Sequence, residues 1–179
     1  LVICIVFLFI VVNTSQFHVM FITSSLCGAV ASFLFYNFHP AKIFLGDSGS
    51  TLIGFLLAVT SIYVSWADNN PLVAFSAPLM VLFIPVFDLI YTTVSRIKNG
   101  LIRNFYDWLA YTGKDHIHHR ILSLGFSVNE TVFIISIINI LCGLVAINLV
   151  VKSVIVRAIV SYSQIILLFM LVLLFMRKG

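Results

Sequence analysis

Long apolar runs separated by short polar breaks constrain this chain more than any other feature. Five of them, Phe17 to Tyr36, Thr51 to Trp66, Leu72 to Val94, Thr131 to Val151 and Val156 to Met176, approach the roughly 20 mostly apolar residues that a helix needs to cross a bilayer. Only 9% of the 179 residues are charged and 61% are hydrophobic, against about 25% charged in a soluble domain. A soluble core of this size cannot hide so much apolar surface, so the solvent for most of the chain is lipid. The expected fold is all-α: a polytopic transmembrane helix bundle forming one integral membrane domain over residues 1–179. It has five full spans plus a truncated one, Leu1 to Val12, at the N-terminus. The chain begins at Leu1 within an apolar run, with no signal peptide ahead of it. It therefore reads as a fragment of a longer protein.

Within that frame, Phe17 to Tyr36 offers a face of small residues suited to close helix packing: Ser24, Ser25, Cys27, Gly28, Ala29, Ala31 and Ser32. Thr51 to Trp66 ends in Tyr63 and Trp66, placed for a membrane interface. Leu72 to Val94 should bend near Pro78 and Pro85. Cys4, Cys27 and Cys142 all lie in apolar runs without CxxC spacing and read as packing residues. The net charge of +4 does not indicate nucleic acid, because the few bases lie mainly between apolar runs.

The bases set the orientation. Lys42, Arg96, Lys98, Arg103, Lys114, Arg120, Arg177 and Lys178 fall on one side; only Lys152 and Arg157 fall on the other. The positive-inside rule puts the first group, and with it the C-terminus and the segments 37–50 and 95–129, in the cytoplasm. His18 and Asp68 lie opposite and read as ordinary interfacial residues.

Two polar places then share one face. The first is HPAKIFLGDSGSTLIGF, His39 to Phe55. A carboxylate at the mouth of a membrane bundle is costly unless paired or metal-bound, which makes Asp47 a functional candidate. Gly46 and Gly49 permit a tight turn. Ser48, Ser50 and Thr51 can cap the helix that follows, and its free amides favour anions. Asp47 beside such a site can hold Mg²⁺, which takes carboxylate, water and phosphate oxygens. The plainer reading is that Asp47 is the N-cap of a helix starting at Thr51. The GDSGS string also occurs around hydrolase serines, but no strand-turn-helix context supports that here. Asn37 and His39 flank the loop, with Asn37 equally a helix-end residue. Lys42 is placed to meet a phosphate or a lipid head group.

The second place is KDHIHHR, Lys114 to Arg120. His116, His118 and His119 in a basic segment can bind phosphate. The i, i+3 pair His116 and His119 leaves zinc open, and a solvated loop with incidental histidines is the plain alternative. Arg120 adds a guanidinium fork suited to a diphosphate. Asp88, within PVFDLIYTTVSR, reads as orienting a site residue or pairing a base, with Arg96 one possible partner. Ser127 and Glu130 fit a capping box, so Glu130 carries no chemistry. The half-apolar piece Phe105 to Tyr111 reads as an interfacial helix.

Tyr36 to Ala58, YNFHPAKIFLGDSGSTLIGFLLA, resembles the N-F-x-P-A-x-I-F-M-G-D-x-G-S segment of the polyprenyl-phosphate N-acetylhexosamine-1-phosphate transferases, glycosyltransferase family 4. PVFDLIYTTVSRIKNG and DHIHHRILSLGFS resemble two later segments of the same family, in the same order. The resemblance runs from about Ala31 to Leu141. It implies a multi-pass enzyme of the bacterial inner membrane that moves a sugar 1-phosphate from a UDP-N-acetylhexosamine to polyprenyl phosphate, releasing UMP, with Mg²⁺ or in its place Mn²⁺. By that resemblance Asp47 is the metal ligand. His116, His118, His119 and Arg120 are the catalytic group at the phosphates, and Asn37, Lys42 and Ser48 lie on the substrate. The lipid bilayer and, as an assembly, a homodimer are the implied partners. The HIHHR form is similar to the branch that starts surface-glycan synthesis. Leu101 to Gly113 does not match the family's link at that place. The family's paired-aspartate and Asn-Asp-Gly-rich motifs do not occur in this chain, which therefore carries half of an active site. Two other classes compete: a transporter piece with Asp88 and the histidines as a proton or metal path, and a non-catalytic scaffold.

Overall fold

The computed structural model describes residues 1–38, 40–67, 69–111, 113, 115–151 and 155–178, except the side chains of 151, 155–160, 174, 175, 177 and 178. Nine helices run through them: α1 (Val2–Asn13), α2 (Phe17–Asn37), α3 (Gly46–Tyr63), α4 (Pro71–Val81), α5 (Phe83–Lys98), α6 (Phe105–Ala110), α7 (Ile117–Ser123), α8 (Val128–Val151) and α9 (Ile155–Lys178). There is no strand among the described residues. The chain is an all-α membrane helix bundle, as expected. By length and apolarity α2 and residues Val128–Val150 can each cross a membrane, and α4 with α5 makes a third crossing if the bent pair is one span. The other two expected spans fall on α3 and α9, neither of which meets that test among the described residues, so two or three crossings stand where five were expected; the short α1 takes the place of the truncated one.

Helix α8 is the axis. It packs on α1, α4, α5, α7 and α9. Its start is fixed by the anticipated capping box: Ser127 N–H donates to Glu130 Oε2 at 2.8 Å, and Glu130 N–H to Ser127 Oγ at 3.3 Å. Small residues let neighbours approach it closely. Cys142 and Ala146, one turn apart, are fully buried, and a Cβ at Gly143 would collide with Val6 of α1. Close backbone approach of this kind is what holds helices together where lipid removes the usual hydrophobic drive. The expected small face of α2 is not used in this way. Ser24, Ser25, Gly28, Ala29, Ala31 and Ser32 are exposed, and α2 instead buries Val19, Thr23 and Leu26. Thr23 tolerates burial because its hydroxyl donates to the Val19 carbonyl at 2.7 Å.

The bend expected in the fourth run is an 80° break between α4 and α5, at Leu82. Pro85 has no N–H to give to the carbonyl of Val81, so the ladder is interrupted there. Bonds resume on both sides, Leu82 N–H to Pro78 O at 3.0 Å and Val86 N–H to Leu82 O at 3.1 Å.

The apolar core has two parts. One, around Phe7, Ile10, Ala77, Val81 and Ala146, joins α1, α4 and α8. It includes Trp66, which is buried against Phe7 with ring centroids 5.7 Å apart and donates to the Ser61 carbonyl. The expected interfacial placement of Trp66 is thus corrected, since the turn after α3 folds its indole inward; Tyr63 is exposed. Gln16 pins that turn from across the bundle, donating to Ser65 O at 2.9 Å and accepting from Ser65 N–H at 2.7 Å. The other part, around Phe87, Ile117, Ile121, Cys142, Val172 and Met176, joins α5, α7, α8 and α9. It lies beneath the histidine segment.

Candidate active site

The segment after α5 is built by hydrogen bonds to groups that water would otherwise hold. Arg96, 7% exposed in the last turn of α5, presents Nε and Nη2 to the two carboxylate oxygens of Asp115, both at 2.7 Å. Its guanidinium carbon lies 4.5 Å from the centre of the Tyr111 ring. A side-on fork of this kind is the strong form of ion pair. The Arg96 guanidinium holds the Asp115 carboxyl below its ordinary range. Asp115 is thereby anchored, and α7 starts from a fixed point.

Asp88 anchors the next residue. One oxygen lies 2.7 Å from His116 Nδ1 and the other accepts the Ile117 N–H at 2.8 Å. His116 is the N-cap residue of α7 and its side chain makes no cap bond, so a carboxylate from α5 satisfies that helix start instead. The suggested partnership of Asp88 with Arg96 is corrected, because Arg96 turns to Asp115. Asp88 instead orients His116.

The three histidines lie side by side. His116 and His118 rings are nearly parallel at 6.1 Å, and His118 and His119 are 4.1 Å apart. His118 is exposed overall but partly desolvated by its surroundings. That desolvation, followed by the nearness of His119 and His116, pushes its pKa below the usual imidazole value. Arg120 ties α7 down: Nε donates to the Asp115 carbonyl at 3.0 Å and Nη1 to the Met176 carbonyl of α9 at 2.8 Å. Its guanidinium sits 5.1 Å from the centre of the Tyr91 ring. Tyr91 also lines an apolar cavity of about 440 Å³ between α4, α5 and α9, with Phe83, Phe87, Ile90 and Phe169 among its walls. Arg120 thus stands beside one wall residue of an apolar recess.

The Asp47 loop is built differently. Helix α3 begins at Gly46, five residues before the expected Thr51, and its N-cap is Leu45 with no side-chain cap bond. Asp47 is therefore inside the first turn and is not the N-cap. Ser48, Ser50 and Thr51 are helical and not capping residues, and Ser50 Oγ bonds back to the Asp47 carbonyl at 3.0 Å. Gly46 takes φ +68, which is what lets the chain enter the helix so abruptly. An acidic side chain in a first turn is favoured by the helix dipole. Asp47, Ser48 and Lys42 are all exposed. Asn37, the last residue of α2, donates to the Ile43 carbonyl at 2.8 Å and shapes the loop; the C-cap of α2 is Phe38, not Asn37.

Both polar segments reach the same end of α8. Asn37, Phe38, Ala41 and Phe44 share a cavity of about 330 Å³ with Val128, Asn129 and Val132 of its first turns, and the histidine segment runs directly into that start. No bond, ion pair or cavity among the described residues joins Asp47 itself to His116, His118, His119 or Arg120. Nor do three His, Cys, Asp or Glu residues converge there as a metal site, so zinc on the histidines gains no support. His39, Lys114, Asp68 and Lys152, and the side chains of Arg157, Arg177 and Lys178, lie outside the described residues. Sequence reasoning counted Arg96 as a loop base and as one possible partner of Asp88. Its place one turn from the end of an apolar helix, nineteen residues before Asp115, gave no local signal of their pairing.

Residues 1–65, which contain the GDSGS loop, match the family model of glycosyl transferase family 4. This part of the chain is similar to glycosyl transferase family 4. Curated relatives extend the likeness over more of the chain. It is 35% identical over 117 residues to a probable undecaprenyl-phosphate N-acetylglucosaminyl 1-phosphate transferase of Bacillus subtilis, covering 65% of the chain and 31% of the relative. It is 38% identical over 120 residues to a decaprenyl-phosphate N-acetylglucosaminephosphotransferase of Mycobacterium tuberculosis, covering 62% and 28%. It is 34% identical over 116 residues to a phospho-N-acetylmuramoyl-pentapeptide-transferase of a Wolbachia endosymbiont of Brugia malayi, covering 65% and 33%. The chain spans about a third of the length of these relatives. No solved structure matches it.

Proposed function

We propose that the protein carrying this chain transfers a sugar 1-phosphate from a UDP-N-acetylhexosamine to polyprenyl phosphate, releasing UMP, as an early membrane step of cell-surface glycan synthesis in bacteria. The observation that carries the reading is the position of Tyr91. It lines the apolar cavity, and its ring also faces the Arg120 guanidinium. A lipid phosphate has this composition, an apolar tail joined to an anionic head, and the two halves of this site meet at one side chain.

Each residue has a share in the chemistry. His116, His118, His119 and Arg120 provide donors for phosphate oxygens, whose charge is redistributed as the phosphoryl group moves. Asp47, exposed in the first turn of α3, offers one free carboxylate, which fits Mg²⁺, a cation held by one or two carboxylates with phosphate and water oxygens. When bound, such a cation neutralises diphosphate charge. Lys42 and Ser48 are open to the same solvent and serve the nucleotide sugar. Segments 37–50 and 95–129 face the cytoplasm, where the soluble substrate arrives.

The test is UMP release by the purified intact protein in detergent, with UDP-N-acetylglucosamine, polyprenyl phosphate and Mg²⁺. Release that requires the lipid phosphate supports the reading. Absence of release, with movement of protons or divalent metals across proteoliposomes, would replace it with the transporter class.

A further inference from the structure

The pair formed by Asp88 and His116 goes beyond a salt bridge, because Asp88 is fully committed on both oxygens. Oδ2 meets His116 Nδ1 at 2.7 Å, and Oδ1 accepts the Ile117 N–H at 2.8 Å. Its side chain is 17% exposed, whereas that of His116 is 40% exposed. One edge of the imidazole is thus turned into the protein and the other toward solvent. The backbone of Asp88 is held as well: its carbonyl accepts the Thr92 hydroxyl at 2.7 Å, and Thr92 is fully buried. The carboxylate stands on the rigid half-span below the bend, not on a loop.

We propose that Asp88 is a positioning residue for the transfer reaction: it locks His116 in the Nδ1–H tautomer, so that Nε2 is the ring atom presented to the phosphates. The inference rests on the functional reading above for what Nε2 meets, but not for the tautomer itself. A carboxylate can only accept, so with both oxygens engaged the proton between Asp88 and the ring belongs to Nδ1. Nε2 then accepts a hydrogen bond when the ring is neutral and donates one when it is protonated. A fixed ring presents one atom to a phosphate oxygen without first losing rotamer freedom. The charged and titratable groups around the pair are Tyr91 and Arg96 on α5, Asp115 before α7, and His118, His119 and Arg120 on α7. Arg96 and Asp115 neutralise each other, which leaves Asp88 as the acidic partner of His116.

Asn at position 88 makes the decisive variant. It keeps one acceptor, which the Ile117 N–H still requires, and replaces the other with an NH₂ donor. The ring must then offer a lone pair at Nδ1 and carry its proton on Nε2. Solid-state ¹⁵N NMR of histidine-labelled intact protein near pH 8 reads this directly, with the His116 signal assigned by its loss in His116→Gln. The wild type should show protonated Nδ1, Asp88→Asn protonated Nε2, and Asp88→Glu a return toward wild type. In the UMP-release assay Asp88→Asn should lower kcat about 100-fold or more while changing KM less than threefold. An unchanged tautomer in Asp88→Asn overturns the proposal. So does a switched tautomer with wild-type kcat. If the wild type itself releases no UMP, the functional reading and the positioning role fall together, while the NMR still decides the tautomer.

Discussion

The guanidinium of Arg96 lies side-on against the carboxylate of Asp115, two bonds of 2.7 Å across nineteen residues of chain. With Arg96 8% and Asp115 22% exposed at the side chain, this pair closes the loop that carries α6 and presents the histidines. Removing one partner of a buried pair leaves an uncompensated charge, at about 3–5 kcal/mol. Arg96→Met should therefore lower the melting temperature in detergent more than Arg96→Met combined with Asp115→Leu. Equal losses in the single and double variants would show the pair to be energetically idle. Arg96→Lys should restore only part of the stability, because an ammonium cannot supply the fork.

The same pair has a pH signature. The Asp115 carboxyl is held below its ordinary range by Arg96, so the stability it contributes is present above the unfolded value of about 3.9. It is lost as pH falls through the lower folded value. His118 acts at a higher pH. Its folded pKa is depressed by desolvation, so the unfolded chain takes up the proton first and stability falls as pH drops below about 6.5. Thermal melts from pH 8 to pH 5 should show a decline that His118→Gln reduces. A variant with the wild-type slope would remove His118 as its source.

Asp47 is exposed and holds up nothing around it. Asp47→Asn in the intact protein should leave the melting temperature within about 1 °C while lowering UMP release at least about 100-fold, as expected for a lost metal carboxylate. Retained activity would sink its assignment as the metal ligand.

Tyr91 joins the apolar recess to Arg120. Tyr91→Phe keeps the ring and should behave as wild type. Tyr91→Ala should raise KM for the lipid phosphate by roughly 3- to 30-fold, the scale of a cation–π contact of about 0.5–2 kcal/mol. An equal rise for UDP-sugar would show a general loosening instead.

Gly143 touches Val6 so closely that no Cβ fits between them. Gly143→Ala should destabilise by about 1–3 kcal/mol, the usual cost of overpacking. Adding Val6→Ala should recover much of it. Failure of that rescue in melting experiments would place the strain elsewhere.

The apolar runs, the bend near Pro85, the Ser127–Glu130 cap and the two polar places were legible along the chain. Each depends on neighbours within a turn or two, where spacing and residue type decide the outcome: lipid demands helices, proline withholds a bond, and a serine three residues before a glutamate closes a cap. Tertiary structure alone decided that Asp88 takes His116 and Ile117 while Arg96 takes Asp115. It decided too that Trp66 turns into the core, that α8 rather than α2 supplies the close-packed small residues, and that Asp47 stands inside its helix and not before it. Those outcomes depend on which helix faces meet across long separations. Chain order does not encode them locally, because a buried carboxylate or guanidinium is satisfied by whatever partner the packing brings within about 3 Å.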